Sequence, residues 1–200
     1  MVSNKVFQMK AGVFIDYSNL FWAENEHYDW TIDYLKLKDY LRKRYRPLFY
    51  NFYCAKDTNP STPEFKRKAL GSDGFYSKIS GNGYNVIQEP LKYIKDKKEE
   101  VSTKGDRDSE IITDITTSLS DIGAIILFSG DGDFLKTIEH CFNLGKYVRI
   151  YSYDKTFNWK IRTFVFNHPR CNFKLLDELK SELQYVKKKK IGGKFSTTEA

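Results

Sequence analysis

The sequence predicts an α/β protein in which helices cover both faces of a mostly parallel sheet. Three observations favour this fold class. Strand-like and helix-like segments alternate along the chain. Residues 12–15 (GVFI) and 124–128 (AIILF) are unbroken apolar runs, which is typical of strands that are covered on both sides. The chain has 200 residues, of which 40% are hydrophobic, and this is enough for one core of ordinary domain size.

In the first half of the chain, each predicted element follows from a local pattern. The strand at 12–15 ends at Asp16, and the residues that follow it are expected to form a loop. Asp33 is a predicted N-cap, and apolar residues then recur at helical spacing until Pro47. The aromatic-rich segment 48–54 predicts a second strand. Two further elements are expected before the middle of the chain, a helix that Pro63 opens and a third strand at 84–88.

The second half of the chain repeats the alternation. A lysine-rich segment at 92–106 predicts a surface loop or a hairpin. The next helix has an apolar stripe made of Ile111, Ile112, Ile115 and Leu119. The strand at 124–128 leads through SGDGDF into a helix that Gly145 ends. A fifth strand at 147–151 and a helix at about 175–185 complete the predicted fold.

Composition and charge limit the classes of protein that fit. No apolar run approaches the roughly 18 residues of a membrane span, and the N-terminus lacks the apolar region of a signal peptide. The three cysteines are widely separated, which fits reduced thiols in a cytoplasmic protein without a membrane partner. Residues 1–186 are expected to form one domain and 187–200 a flexible basic tail. The net charge of +7 favours a polyanionic partner.

Aspartates directly follow two of the predicted strands. Asp16 ends the first strand, and Asp131 and Asp133 follow the fourth. Because the carboxyl ends of parallel strands meet at one edge of a sheet, these side chains converge if the two strands are neighbours. Asp108 lies on the apolar stripe of its helix, at the first turn, so its carboxylate can face the same rim. Asp114 lies off that stripe, which favours a supporting or plain surface role.

Each of these aspartates also has a simpler interpretation. Asp108 could be a first-turn acid that interacts with the helix dipole. Asp131 and Asp133 could form a turn, and Asp133 could cap the helix after it. Neither of these simpler interpretations explains why Asp16 should lie at the same edge of the sheet. Carboxylates that converge repel each other unless a cation neutralises them, and oxygen ligands suit Mg²⁺ or Mn²⁺. Because such ions activate water and polarise phosphates, the pattern points to phosphodiester hydrolysis.

Four segments resemble the signature blocks of the NYN domain family, in its LabA-like branch. They are VFIDYSNL (13–20), KGDRDSEIITD (104–114), ILFSGDGDF (126–134) and LGKYVRIYS (144–152). NYN domains are PIN-like, metal-dependent ribonuclease domains, and the order and spacing of the blocks match from about residue 11 to residue 180. The resemblance implies a three-layer α/β/α PIN-like fold whose five-stranded, mostly parallel sheet has the order 3-2-1-4-5.

The resemblance also implies roles for individual residues. The catalytic and Mg²⁺- or Mn²⁺-binding acids would be Asp16, Asp108, Asp131 and Asp133. The supporting residues would be Asn19 and Ser129. Asp114 is a further candidate for support, because of its place on the helix and not because of the resemblance.

The predicted function is that of a nuclease that hydrolyses phosphodiester bonds, with RNA, single-stranded or structured, as the expected substrate. Lys104 and Arg107 flank the predicted site and are candidates for phosphate contact. Tyr17 is a candidate for stacking on unpaired bases, whereas Trp22 could either stack or pack under its loop. The alternative is a catalytically inactive module that binds nucleic acid or a partner protein. The oligomeric state stays open, with a homodimer as one possibility.

Overall fold

The structure of the chain, a computed structural model, describes residues 9–56, 63–90, 92–95, 101–104, 107–187, 189–191 and 194–196. Within these residues the strands are β1 Lys10–Asp16, β2 Arg46–Lys56, β3 Asn85–Pro90, β4 Lys92–Lys95, β5 Val101–Lys104, β6 Ala124–Phe128, β7 Tyr147–Ser152, β8 Cys171–Leu175, β9 Lys189–Ile191 and β10 Lys194–Ser196. The α-helices are α1 Tyr17–His27, α2 Tyr34–Arg42, α3 Pro63–Gly81, α4 Asp108–Ser118, α5 Leu135–Asn143, α6 Trp159–Phe166 and α7 Lys180–Leu183.

A six-stranded sheet with the order β3-β2-β1-β6-β7-β8 lies at the centre of the fold. Every neighbouring pair in it is parallel. The predicted α/β class is therefore confirmed, and its five predicted strands lie in the predicted order. The predicted strand count was too low, because β8 extends the sheet beyond β7 as a sixth strand.

Alternate residues of β1 show how the sheet separates two hydrophobic cores. Val13 and Ile15 pack in one core, together with residues of α1, α2, α3 and α7. Phe14 packs in the other core, together with residues of α4, α5 and α6. Because successive side chains of a strand point to opposite faces, this partition requires helices on both sides of the sheet. The result is the predicted three-layer arrangement.

The register between β1 and β6 determines where the candidate site lies. Ile15 is paired with Phe128 at the carboxyl ends of these two strands. The next residues along the chain are therefore Asp16 on one strand and Ser129 on the other. Both side chains are buried, with Asp16 4% exposed and Ser129 fully covered.

Three elements differ from the expectations. Residues 17–27 form α1 where a loop was predicted, and the Asp16 side chain caps it by accepting a hydrogen bond from the amide of Asn19. Helix α6 and strand β8 lie in residues 159–175, for which no element was predicted. The predicted final helix is shorter than expected, since Leu176–Leu179 is a 3₁₀ segment and only α7 is α-helical.

The lysine-rich segment forms a hairpin, one of the two predicted alternatives, in which β4 and β5 pair antiparallel. Strands β9 and β10 also pair antiparallel, in the part of the chain expected to be a flexible tail. Among the helices that the structure describes, none is long and apolar enough to cross a membrane.

Glu24 is a buried carboxyl group on α1 and is 7% exposed. Its Oε1 accepts a hydrogen bond from the Tyr153 hydroxyl at 2.9 Å and from the Ile32 amide at 3.2 Å. Burial raises the pKa of Glu24 to about 7, because these hydrogen bonds offset only part of the loss of hydration.

The raised pKa of Glu24 predicts a stability that depends on pH. Between the ordinary pKa of 4.5 and about 7, the folded state holds a proton that the unfolded state releases. The free energy of unfolding therefore falls as the pH rises through this interval, by about 2–3 kcal/mol. Glu24→Gln keeps the acceptor oxygen but has no titrating group, so its free energy of unfolding should not fall in this way. As the pH rises, the variant should therefore become more stable relative to the wild type by the same amount. Urea denaturation of both proteins at about pH 5 and pH 8 measures the difference, and a constant difference would contradict the assignment.

Candidate metal and nucleic-acid site

The candidate site begins with Asp16, which lies at the carboxyl end of β1 and is held from two sides. Its Oδ1 accepts a hydrogen bond from the Asn19 amide at 3.1 Å, and its Oδ2 accepts one from the Ser129 hydroxyl at 2.9 Å. The pKa of Asp16 is raised to about 6, mainly by burial and also by the charge of Asp131, while the hydrogen bonds from Asn19 and Ser129 oppose this rise. A cation at this edge of the sheet would favour the ionised form of Asp16.

Hydrogen bonds connect the loop after β6 to Asp16. The Ser129 hydroxyl oxygen accepts a hydrogen bond from the Asp131 amide at 3.2 Å. The side-chain oxygen of Asn19 accepts one from the Gly130 amide at 3.0 Å. These contacts agree with the supporting positions that were predicted for Asn19 and Ser129, since both side chains link the ends of β1 and β6.

Three of the four predicted acids converge. Asp108, Asp131 and Asp133 each offer a carboxylate oxygen, and these three oxygens lie within 4.8 Å of one another. Asp108 is the first residue of α4, and Asp131 caps the short 3₁₀ segment Gly132–Phe134 by accepting a hydrogen bond from the Asp133 amide at 3.0 Å. Asp16 is not one of these three residues. The Ser129 hydroxyl connects it to the group, because it donates to Asp16 and accepts a hydrogen bond from the Asp131 amide. We call Asp108, Asp131 and Asp133 the acidic cluster.

The acidic cluster fits a divalent cation by the chemistry of its donors. Its ligand atoms are carboxylate oxygens, which are the ligands that Mg²⁺ and Mn²⁺ prefer. Asp108 and Asp131 are partly buried and Asp133 is exposed, so one side of the cluster is open to solvent. This opening leaves room for water and for a substrate phosphate.

The two glycines of the SGDGD loop are required by close contacts. A Cβ atom at Gly130 would lie 2.3 Å from the Thr156 carbonyl oxygen and 2.4 Å from the Ser152 hydroxyl oxygen. A Cβ atom at Gly132 would lie 2.4 Å from Nδ2 of Asn158. The segment before α6 therefore packs directly on the loop that carries Asp131 and Asp133.

Asn158 contacts the SGDGD loop, and the sequence analysis missed it. The Asn158 amide donates a hydrogen bond to the Gly130 carbonyl at 2.9 Å, and its side chain caps α6. Trp159 follows at the start of the helix and is 68% exposed. The signal available in the sequence was an Asn before a helical segment, but nothing in that pattern connects it to the SGDGD loop.

Asp114 holds α4 against the sheet. Its Oδ2 accepts a hydrogen bond from the Tyr53 hydroxyl at 2.7 Å and from the Asn51 amide group at 3.4 Å. Asp114 is therefore a support for the helix that carries Asp108.

The structure contradicts the predicted phosphate contact of Arg107. Its side chain is only 2% exposed, and its guanidinium donates a hydrogen bond to the carbonyl of Glu89 at 2.8 Å. This contact joins the residue before α4 to the end of β3, and a linear sequence does not reveal that these two segments meet. The Lys104 backbone pairs with Lys92 in the hairpin, and the predicted phosphate contact of its side chain lies outside the described residues.

Tyr17 lies in a group of aromatic rings between α1, α2 and α3. Its ring centroid is 5.0 Å from that of Phe52 and 5.3 Å from that of Phe75. Tyr17 is therefore partly buried against the hydrophobic core, and its predicted stacking on bases stays a prediction. Trp22, in contrast, is 61% exposed on α1 instead of packed beneath it.

A parallel α/β sheet with an acidic cluster beside the carboxyl ends of its central strands is the arrangement that the resemblance to PIN-like domains implied. The chain matches the model of the NYN domain over residues 10–165. Because this match covers most of the chain, the protein belongs to the NYN domain family. This membership supports a function that is related to nucleic acid.

Two known proteins are similar to this chain. The Low amplitude and bright protein LabA of Synechococcus elongatus is 29% identical over 132 residues, which are 65% of this chain and 66% of that protein. The match thus spans just under two thirds of the length of LabA. The crystal structure of a protein of unknown function, VPA0982 from Vibrio parahaemolyticus, has a TM-score of 0.70 at 21% identity. That similarity covers 92% of this chain and 100% of the other, and it shows the shared fold.

Proposed function

We propose that this protein is a divalent-metal-dependent nuclease that hydrolyses phosphodiester bonds in RNA. The observation that carries the proposal is the convergence of the Asp108, Asp131 and Asp133 oxygens within 4.8 Å of one another. Membership in the NYN family, whose domains are typically nucleases, supports the same reading.

In this proposal, Asp108, Asp131 and Asp133 would bind Mg²⁺ or Mn²⁺, and Asp16 would add negative charge behind them. When bound, the ion supplies polarisation of the phosphate and activation of water. Ser129 and Asn19 keep the two strand ends at a fixed separation, so the carboxylates are positioned before substrate arrives.

The first test is metal dependence. We expect the purified protein to cleave single-stranded RNA with Mn²⁺ or Mg²⁺ and to lose this activity in a chelator, because the carboxylates alone repel a phosphate. Adding excess Mn²⁺ after the chelator should restore cleavage. Cleavage that persists in the chelator would contradict the proposal. Binding of RNA without cleavage under every metal condition would favour the inactive binding module instead.

Trp159 gives a second prediction, for substrate binding. Trp159 directly follows Asn158, which contacts the loop of Asp131 and Asp133, and an exposed indole at this position can stack on an unpaired base, which contributes about 1–3 kcal/mol. Lys160 places its Nζ 5.8 Å from the centroid of this ring, where it can also attract phosphates. Trp159→Ala should weaken RNA binding in chelator by about 5- to 100-fold.

The same helix offers a matched control for that substitution. Phe166 is 84% exposed at the other end of α6, away from the loop. Phe166→Ala should leave RNA affinity within about twofold of the wild type. If both variants bind RNA as the wild type does, stacking on Trp159 plays no part in substrate binding.

A further inference from the structure

A pocket of about 310 Å³ lies outside the acidic cluster, between α1, the start of α2 and α3. Its wall combines polar side chains with aromatic ones, among them Tyr17, Phe21, Tyr34 and Phe75. Pockets of this size, with apolar walls and a few polar groups, are typical of sites for small molecules and single bases. None of the residues assigned to metal binding contributes to this wall.

Two buried polar groups line the pocket and are incompletely satisfied. Glu24 accepts both of its hydrogen bonds on Oε1, and among the described residues no donor reaches Oε2. Tyr34 is 4% exposed, and its buried hydroxyl has no hydrogen-bond partner among those residues. A buried polar atom without a partner destabilises a fold, so the Tyr34 hydroxyl indicates a missing hydrogen bond, and Oε2 of Glu24 is an acceptor that a ligand in the pocket can use.

The remaining lining residues restrict the shape and charge of that ligand. The rings of Tyr17, Phe21 and Phe75 pack against one another, with centroids 5.3 Å apart for Tyr17 and Phe75 and 5.6 Å apart for Tyr17 and Phe21, so a flat ligand ring would contact the surface of this group and would not insert between its members. Lys78 is exposed at the rim, with its Nζ 5.0 Å from the centroid of the Tyr185 ring. The pocket therefore combines an acceptor inside with a cation outside, which suits a base with N–H donors that carries a phosphate.

We propose that this pocket binds the guanine base of a nucleotide. Guanine presents adjacent N–H donors on one edge, which a carboxylate such as that of Glu24 can accept, and a carbonyl oxygen to which the Tyr34 hydroxyl can donate. Adenine has no ring N–H donor on that edge. The Lys78 ammonium then lies on the side from which the phosphate enters.

The position of the pocket suggests the source of the base. Tyr17 lines the pocket and directly follows Asp16, so the pocket adjoins the edge of the sheet that carries the acidic cluster. A base of the same RNA strand could enter it while a neighbouring phosphate lies at the cluster. The inference that the base belongs to the RNA substrate rests on the proposed nuclease function. The inference that the pocket binds guanine does not depend on that function.

Calorimetric titration of guanosine monophosphate into the whole protein, with a chelator and no divalent ion, tests the proposal. We expect saturable binding, at least tenfold weaker binding of adenosine monophosphate, and at least tenfold weaker guanosine monophosphate binding by Glu24→Gln. Asp131→Asn should bind as the wild type does, because Asp131 is not in the pocket. No saturable binding, or equal binding of the two nucleotides, would overturn the proposal. A failed nuclease assay would leave this titration unaffected.

A second variant protects the test from a folding defect. Tyr34→Phe removes a hydroxyl that has no partner, so it should fold at least as stably as the wild type. Its affinity for guanosine monophosphate should fall about three- to tenfold, and an unchanged affinity would count against the pocket.

Sequencing of RNA cleavage products then identifies the source of the base. Loss of a preference for sites near guanine in Glu24→Gln assigns the base to the substrate strand, whereas an unchanged pattern with lost nucleotide binding assigns it to a free nucleotide.

Discussion

Asp131→Asn should abolish RNA cleavage while the protein stays folded. The substitution removes one charge from the acidic cluster and weakens its hold on a divalent ion, but the amide oxygen can still cap Gly132–Phe134. Loss of about 4 kcal/mol of transition-state stabilisation corresponds to about a thousandfold lower rate. Initial rates on a labelled single-stranded RNA with Mn²⁺ measure the effect, and circular dichroism confirms the fold.

Asp121 provides the control for the change in charge. It is an exposed acid in the turn before β6, at the opposite end of that strand from the acidic cluster. Asp121→Asn should cleave RNA within about twofold of the wild-type rate. If Asp131→Asn retains cleavage within tenfold, Asp131 is not a metal ligand in the reaction.

Gly130→Ala should both destabilise the protein and slow cleavage. The new Cβ atom would lie 2.3 Å from a backbone oxygen, that of Thr156, so either the loop or the segment before α6 must move. Overpacking of this kind costs about 2–3 kcal/mol. The displaced segment carries Asp131, and misplacing a catalytic group by about 1 Å can cost about a hundredfold in rate. Urea denaturation and the cleavage assay measure the two effects.

Gly71 shows what the same substitution does without a steric conflict. It lies within α3, and an added Cβ atom would have no neighbour within 4 Å. Gly71→Ala should stabilise the protein by up to about 1 kcal/mol, because alanine favours a helix more than glycine does. Equal stabilities of the Gly130 and Gly71 variants would show that the loop tolerates a side chain.

The central strands could be predicted because their sequences are buried on both faces. All five residues of β6 are buried, and so are six of the seven residues of β1, so their apolar runs had no other explanation. Strand β8 could not be predicted in the same way. It is an edge strand in which Asn172 is exposed and Lys174 is partly exposed, and it has no continuous apolar run.

Helices α1 and α6 were missed for a related reason. The apolar residues of α1 do not keep to one side, since Leu20 is buried while Trp22 is 61% exposed. In α6, Phe166 is 84% exposed although Ile161 and Val165 are buried. Periodicity identifies a helix only when its exposed face is polar, and these helices carry large apolar side chains on their exposed faces.

The positions of the aspartates could be predicted from strand ends, but the directions of neighbouring side chains could not. Asp16 and Asp131 were placed by the rule that parallel strands end at one edge. Arg107 is adjacent to Asp108 and yet turns inward to Glu89, which depends on how the chain enters α4. Asn158 reaches the loop from a segment 28 residues after Gly130, and no local pattern predicts such a contact.

Anomalous X-ray diffraction from crystals grown with Mn²⁺ tests the central claim most directly. The account predicts an anomalous peak within coordination distance of carboxylate oxygens of Asp108, Asp131 and Asp133, and no such peak in crystals of Asp131→Asn. A wild-type crystal saturated with Mn²⁺ that shows no peak among these three carboxylates, or shows one only elsewhere on the protein, would contradict it.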